Sequence, residues 1–124
     1  MAPIMVKDTG KYGRGLFATR DIKKDELIEV SPVVISPNHE WKYLKKSVLF
    51  YYCFYWGDDD TAIALGLGSL FNHSYTPNIT FYNNEENVSI DFYALEDINE
   101  GEELTINYNG ETDDQSPLWF NVIE

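Results

Sequence analysis

Cysteine is almost missing from this chain of 124 residues. Cys53 stands alone, which excludes an internal disulfide and any multi-cysteine zinc site. Histidine is nearly as scarce, with only His39 and His73, so no metal site is expected. Positive charge is short as well: nine basic against twenty-one acidic residues leave a net charge of −12. Phosphate binding needs a basic face, so nucleic acid is not an expected partner. No apolar run approaches the roughly 18–20 residues of a membrane span, and no membrane association is expected. The first ten residues lack the charged-then-apolar pattern of a secretory signal, so the expected setting is intracellular. The aspartate runs Asp58-Asp59-Asp60 and Asp113-Asp114 lack the glycine and closing glutamate of a calcium loop and read as solvated acids.

What remains is a globular composition, 44% apolar and 15% aromatic, in a length that suits a single domain over residues 1–124. The acidity serves either solubility or the steering of a cationic substrate such as a lysine-rich tail. Most of the chain reads as short strands between turns, at Ile4 to Lys7, Gly13 to Ala18, Leu27 to Ile35, Thr61 to Leu65 and Leu104 to Asn107. Ile79 to Tyr82 and Val88 to Leu95 read as a hairpin, with Val88, Ile90, Phe92 and Ala94 on one face and Ser89, Asp91 and Tyr93 on the other. One main helix is predicted. Pro37-Asn38 starts it, and Trp41, Leu44, Val48 and Tyr51 or Tyr52 follow at helical spacing.

Three segments can carry chemistry. In Lys11-Tyr12-Gly13-Arg14-Gly15, two glycines let backbone approach a ligand and aim N–H groups at it, although the same pattern makes an ordinary hairpin turn. The third glycine of a dinucleotide fingerprint is absent. Asn72-His73-Ser74-Tyr75-Thr76-Pro77-Asn78 offers an amide and an imidazole in a turn-rich stretch. Gly101-Glu102-Glu103-Leu104-Thr105-Ile106-Asn107-Tyr108 is an acidic turn leading to a strand that ends on tyrosine.

Their order and content together resemble the signature of the SET-domain protein-lysine methyltransferases, over roughly Met5 to Tyr108. Ala64 to Phe71 is most similar to the minimal SET proteins of viruses and bacteria. The resemblance implies a β-rich α+β fold of several small sheets with a C-terminal pseudoknot. The implied activity is methyl transfer from S-adenosylmethionine to a lysine of a basic protein such as a histone tail; the alternative is a catalytically silent SET module that binds a protein partner. Lys11, Tyr12, Gly13, Arg14, Gly15, Asn72, His73 and Tyr108 would hold the cofactor. Tyr108 is implied as the catalytic tyrosine of the methyl-transfer pore, with Tyr52 as its channel partner and Tyr51 and Tyr55 as neighbours close enough to compete. Ile106 and Trp119 would line the lysine channel, Phe120 being the other late aromatic able to close it. Ile106 stands two before the pore tyrosine, where the family's tyrosine restricts and its phenylalanine permits further methylation; an apolar residue there implies more than one methyl per lysine. Tyr75 stands where the family commonly has cysteine, and no zinc-binding post-SET segment is expected. A homodimer is compatible with so small a domain. The implied location is the cytoplasm, or a host nucleus for a viral or effector protein.

Overall fold

The computed structural model describes residues 2–120, Val122 and Glu124. Strands β1 (Ile4–Asp8), β2 (Arg14–Ala18), β6 (Asn72–His73) and β9 (Glu103–Ile106) form one sheet in the order β1-β2-β9-β6. Strands β3 (Leu27–Ser36), β4 (Cys53–Trp56), β5 (Asp60–Ala64), β7 (Ile79–Asn84) and β8 (Ser89–Ala94) form a second, in the order β4-β5-β3-β8-β7. β3 changes partner midway, pairing with β8 as far as Pro32 and with β5 from Val33. A residue without an N–H is tolerated at such an irregular point. The second sheet curls until its two edges meet. There Asn83 Nδ2 donates to the Tyr55 carbonyl at 2.9 Å, and the Phe54 and Phe81 rings pack edge to face at 5.4 Å. Phe71, Ile79, Ile90, Phe92, Leu104 and Ile106 fill the core, each at most 1% exposed.

The topology decides where the functional segments go. β9 lies between β2 and β6, antiparallel to the first and parallel to the second, with Asn72 opposite Thr105 and His73 opposite Ile106. All three sequence segments therefore share one sheet, the juxtaposition that the pseudoknot implies. β6 is only two residues long, and a side chain extends it. Asn78 donates to the Glu103 carbonyl at 2.8 Å and accepts from the Thr105 N–H at 2.9 Å, supplying rungs the backbone lacks.

Three local expectations change. The helix predicted from Asn38 to Tyr52 is broken into a 3-10 turn (Asn38–Glu40), one α-helical turn α1 (Trp41–Leu44) and a second 3-10 turn (Val48–Tyr52). Ser47 makes the break: its hydroxyl donates to the Leu44 carbonyl at 2.8 Å and accepts from the Leu49 N–H at 3.2 Å, closing one turn and capping the next. None of these three pieces contains a buried residue, so their apolar spacing serves a cavity wall rather than a helix seam. Val88 belongs to the β7–β8 turn, at φ 52° and 42% exposed, whereas Ser89 is buried. From Ile90 onward the alternation holds, with Ile90, Phe92 and Ala94 buried and Asp91 and Tyr93 partly exposed. Lastly, Asn72 and His73, read as turn formers, are strand residues.

Candidate active site

The first wall is the β1–β2 hairpin. Thr9 Oγ1 accepts from the Tyr12 N–H at 3.1 Å and donates to the Gly13 carbonyl at 2.8 Å, while Gly13 takes φ 89°, a conformation that favours glycine. Gly15 is required for a different reason. A Cβ there would lie 2.6 Å from Glu103 Oε2 and 2.8 Å from Asn72 Nδ2. Asn72 Nδ2 donates both to the Arg14 carbonyl at 2.8 Å and to Glu103 Oε2 at 2.9 Å, and the Tyr12 hydroxyl donates to Glu103 Oε1. Tyr12, Gly15 and Asn72 are thus gathered around one carboxylate. Lys11 and Arg14 are exposed at the rim, Lys11 Nζ lying 5.1 Å from the Tyr12 ring centre.

The second wall is β6 with the segment after β9. The Tyr108 N–H donates to His73 Nδ1 at 2.9 Å, so the neutral imidazole carries its proton on Nε2. His73 is 6% exposed, and Nε2 has no hydrogen-bond partner among the described residues. Burial holds the imidazole pKa below its usual 6.5, and Glu124 opposes that shift only in part. A group depressed in the folded state contributes stability that is fully present above about pH 6.5 and is lost as pH falls through the folded value. In His73→Asn, an amide oxygen replaces Nδ1 as acceptor without titrating. Thermal melts of both proteins from pH 7 to pH 5 are expected to show the unmodified protein losing more stability than the variant; parallel curves would refute the burial of a neutral His73.

Beyond these walls lies a cavity of ≈ 510 Å³ with a largely aromatic lining that includes Phe50, Tyr52, Phe81, Tyr108 and Trp119, with Ile106 also reaching it. The Tyr108 hydroxyl donates to the Phe71 carbonyl at 2.6 Å. Its pKa is raised, first by burial and then by Tyr52 and Glu103, so it remains a phenol at neutral pH. Tyr52 is half-buried, whereas Tyr51 and Tyr55 are 56% and 85% exposed. The chain after Tyr108 is tied back by Asn107 Nδ2 to the Asp114 carbonyl at 2.7 Å and by the Tyr75 hydroxyl to the Ser116 carbonyl at 3.0 Å. This returns Trp119 over Tyr108, nearly parallel at 15° with centroids 6.1 Å apart, and edge-on to Phe50 at 5.6 Å. Phe120 sits to the side, 6.2 Å from the His73 ring.

The placement brings Tyr12, Gly15 and Asn72 together at Glu103 and Tyr52, Ile106, Tyr108 and Trp119 together at the cavity, with the Tyr108–His73 hydrogen bond close by on β6. Sequence reasoning missed Glu103 and Asn78. Glu103 lay inside a Gly-Glu-Glu run that reads as a solvated turn, and strand alternation puts it on the face of β9 opposite the buried Leu104 and Ile106, so no local signal marked it. Cys53 is half-buried in β4, with Sγ donating to the Phe50 carbonyl at 3.3 Å and a pKa raised by burial, the character of a packed thiol rather than a nucleophile.

Comparison with known proteins agrees with this geometry. The SET domain family model matches residues 13–109. A fission yeast (Schizosaccharomyces pombe) histone-lysine N-methyltransferase specific for H3 lysine 37 is 36% identical over 120 residues, covering 96% of this chain and 78% of that protein. A Neurospora crassa histone-lysine N-methyltransferase specific for H3 lysine 4 is 33% identical over 88% of this chain, which spans only 9% of that much longer relative. Among solved structures, a candidate histone methyltransferase of Plasmodium falciparum superposes with a TM-score of 0.69 at 29% identity, over 87% of this chain and 94% of that one. A structure from work on the product specificity of histone lysine methyltransferases shares the fold, with a TM-score of 0.75 at 20% identity over 96% and 56% of the two chains. The molecule is a protein-lysine N-methyltransferase. It belongs to the SET-domain family.

Proposed function

We propose that the enzyme transfers methyl groups from S-adenosylmethionine to a lysine of a histone tail, adding more than one. The observation that carries this reading is Tyr108, whose hydroxyl is fixed at an aromatic cavity and whose backbone N–H donates to His73 of β6. Two features fit the residues to the cofactor. Gly15 lets Glu103 and Asn72 close against the hairpin where a Cβ would clash with them, and His73 Nε2–H is a buried donor lacking a partner among the described residues. Tyr12, Gly13, Gly15, Asn72 and His73 would hold it, with Lys11 and Arg14 at the entrance. When bound, it supplies an electrophilic methyl on a sulfonium.

The chain's own residues then prepare the acceptor. A lysine of ordinary pKa near 10.4 costs about 4.6 kcal/mol to neutralise at pH 7. Enclosure by Phe50, Tyr52, Tyr108 and Trp119 disfavours the ammonium form and lowers that cost. Tyr108, held as a phenol, positions the amine rather than deprotonating it. Because its proton is committed to the Phe71 carbonyl, its oxygen lone pairs are available to the reacting centre. Trp119 narrows the space and keeps water out. The net charge of −12 favours encounter with a basic tail. Labelled S-adenosylmethionine incubated with histones is expected to mark lysine, located by mass spectrometry; no incorporation into any histone would overturn the substrate.

Ile106 bears on the product. It is 1% exposed and reaches the cavity without a hydroxyl that could hold water beside the lysine nitrogen. A methylated amine can then turn and present its lone pair again. With excess cofactor, product is expected to reach at least dimethyl-lysine, and Ile106→Tyr is expected to shift it toward monomethyl-lysine. Overpacking would cost the variant about 1–3 kcal/mol, so a thermal melt accompanies the mass spectrum. Monomethyl-lysine alone from the unmodified enzyme after prolonged turnover would end this reading.

A further inference from the structure

Glu103 is a half-buried carboxylate whose two oxygens are held by neutral donors, the Tyr12 hydroxyl and the Asn72 amide. Among the described residues it has no ion-pair partner; the ion pair found there joins Arg20 and Glu26, on another part of the surface. Its position against Gly15 is fixed by β9, where Leu104 on one side is fully buried and pairs with Leu16. Glu103 thus sits where the hairpin, β6 and β9 converge, and its charge reaches Tyr108 at the cavity; a carboxylate kept there without a cation invites a cationic ligand.

We propose that Glu103 is a positioning residue that makes the pocket prefer the positively charged methyl donor over its spent product. The inference rests on the S-adenosylmethionine reading above. Donor and product differ by one methyl and by the charge on sulfur: the sulfonium is cationic and the thioether of S-adenosylhomocysteine is neutral. A fixed carboxylate lowers the free energy of the first more than of the second, which limits product inhibition. The same attraction is relieved as charge leaves sulfur during transfer, so it strengthens donor binding without speeding the chemical step.

The test is calorimetric titration of S-adenosylmethionine and of S-adenosylhomocysteine into the unmodified protein, Glu103→Gln and Glu86→Gln. Glu86 is exposed in the β7–β8 turn and controls for loss of one negative charge. Glu103→Gln is expected to weaken the donor about fivefold to tenfold and the product less than about twofold. KM for the donor rises while kcat holds or increases. Glu86→Gln leaves both affinities unchanged. Tyr12→Arg provides a second route should Glu103→Gln fail to fold, because it sets a cation against the carboxylate without removing it. It is expected to erase the preference in the same way. Equal losses for donor and product in Glu103→Gln, or an undiminished preference in Tyr12→Arg, would overturn the proposal. If the unmodified protein binds neither compound, the cofactor reading itself falls and this inference with it.

Discussion

Tyr108→Phe is expected to lower kcat by about 100-fold or more while leaving the affinity for S-adenosylmethionine within a factor of about three. The variant keeps the ring that stacks beneath Trp119 and the backbone N–H that donates to His73. It loses only the hydroxyl, and with it the bond to the Phe71 carbonyl. That carbonyl is left without its partner, so a stability loss of about 1–3 kcal/mol is expected as well, too small to unfold a sound domain. Single-turnover kinetics with saturating cofactor separate the two effects. Full activity in a folded variant would remove Tyr108 from the reaction.

Gly15→Ala is expected to act on the other substrate. Its Cβ would press on the ends of two side chains, Glu103 and Asn72, and on the Thr9 methyl at 2.9 Å. Side-chain ends can move, so the melting temperature should fall only modestly. Moving them breaks the convergence of the hairpin, β6 and β9 on one carboxylate. Cofactor affinity is therefore expected to drop by about tenfold or more, while Tyr108 and the aromatic cavity stay in place. Calorimetry with the cofactor and a thermal melt decide the matter. A variant with unchanged affinity would show that the packing of Glu103 and Asn72 against Gly15 does not shape the binding site.

The parts of this molecule that were legible in its sequence are those governed by short-range rules. Alternation marked the core face of β8 from Ile90 to Ala94, and the spacing of Gly13 and Gly15 marked a hairpin that could approach a ligand. The helix misled because Trp41, Leu44 and Val48 carry the right period, yet Ser47 satisfies its backbone neighbours better in an extended conformation. β6 was invisible for another reason. Two residues carry no period, and their pairing with β9 depends on a partner more than thirty positions along the chain. Glu103 shows the same limit. Its neighbours in sequence are turn and acid, while the donors that give it a role, Tyr12 and Asn72, come from elsewhere. Only the resemblance of three separated motifs to one family joined what local patterns could not.

The insertion of β9 between β2 and β6 also sets an order of assembly. The hairpins β1–β2, β4–β5 and β7–β8 need only near neighbours and can form early. The strand that joins the hairpin wall to the Asn72-His73 wall is made last of the nine. A growing chain that has passed His73 but not reached Glu103 holds both halves of the pocket with nothing between them. Ligand binding in a refolding experiment should accordingly appear in the slowest phase. Fluorescence from Trp56, buried at the end of β4 within the β4–β5 hairpin, should change ahead of it. The pocket then serves as its own timer, reporting completed folding rather than mere collapse.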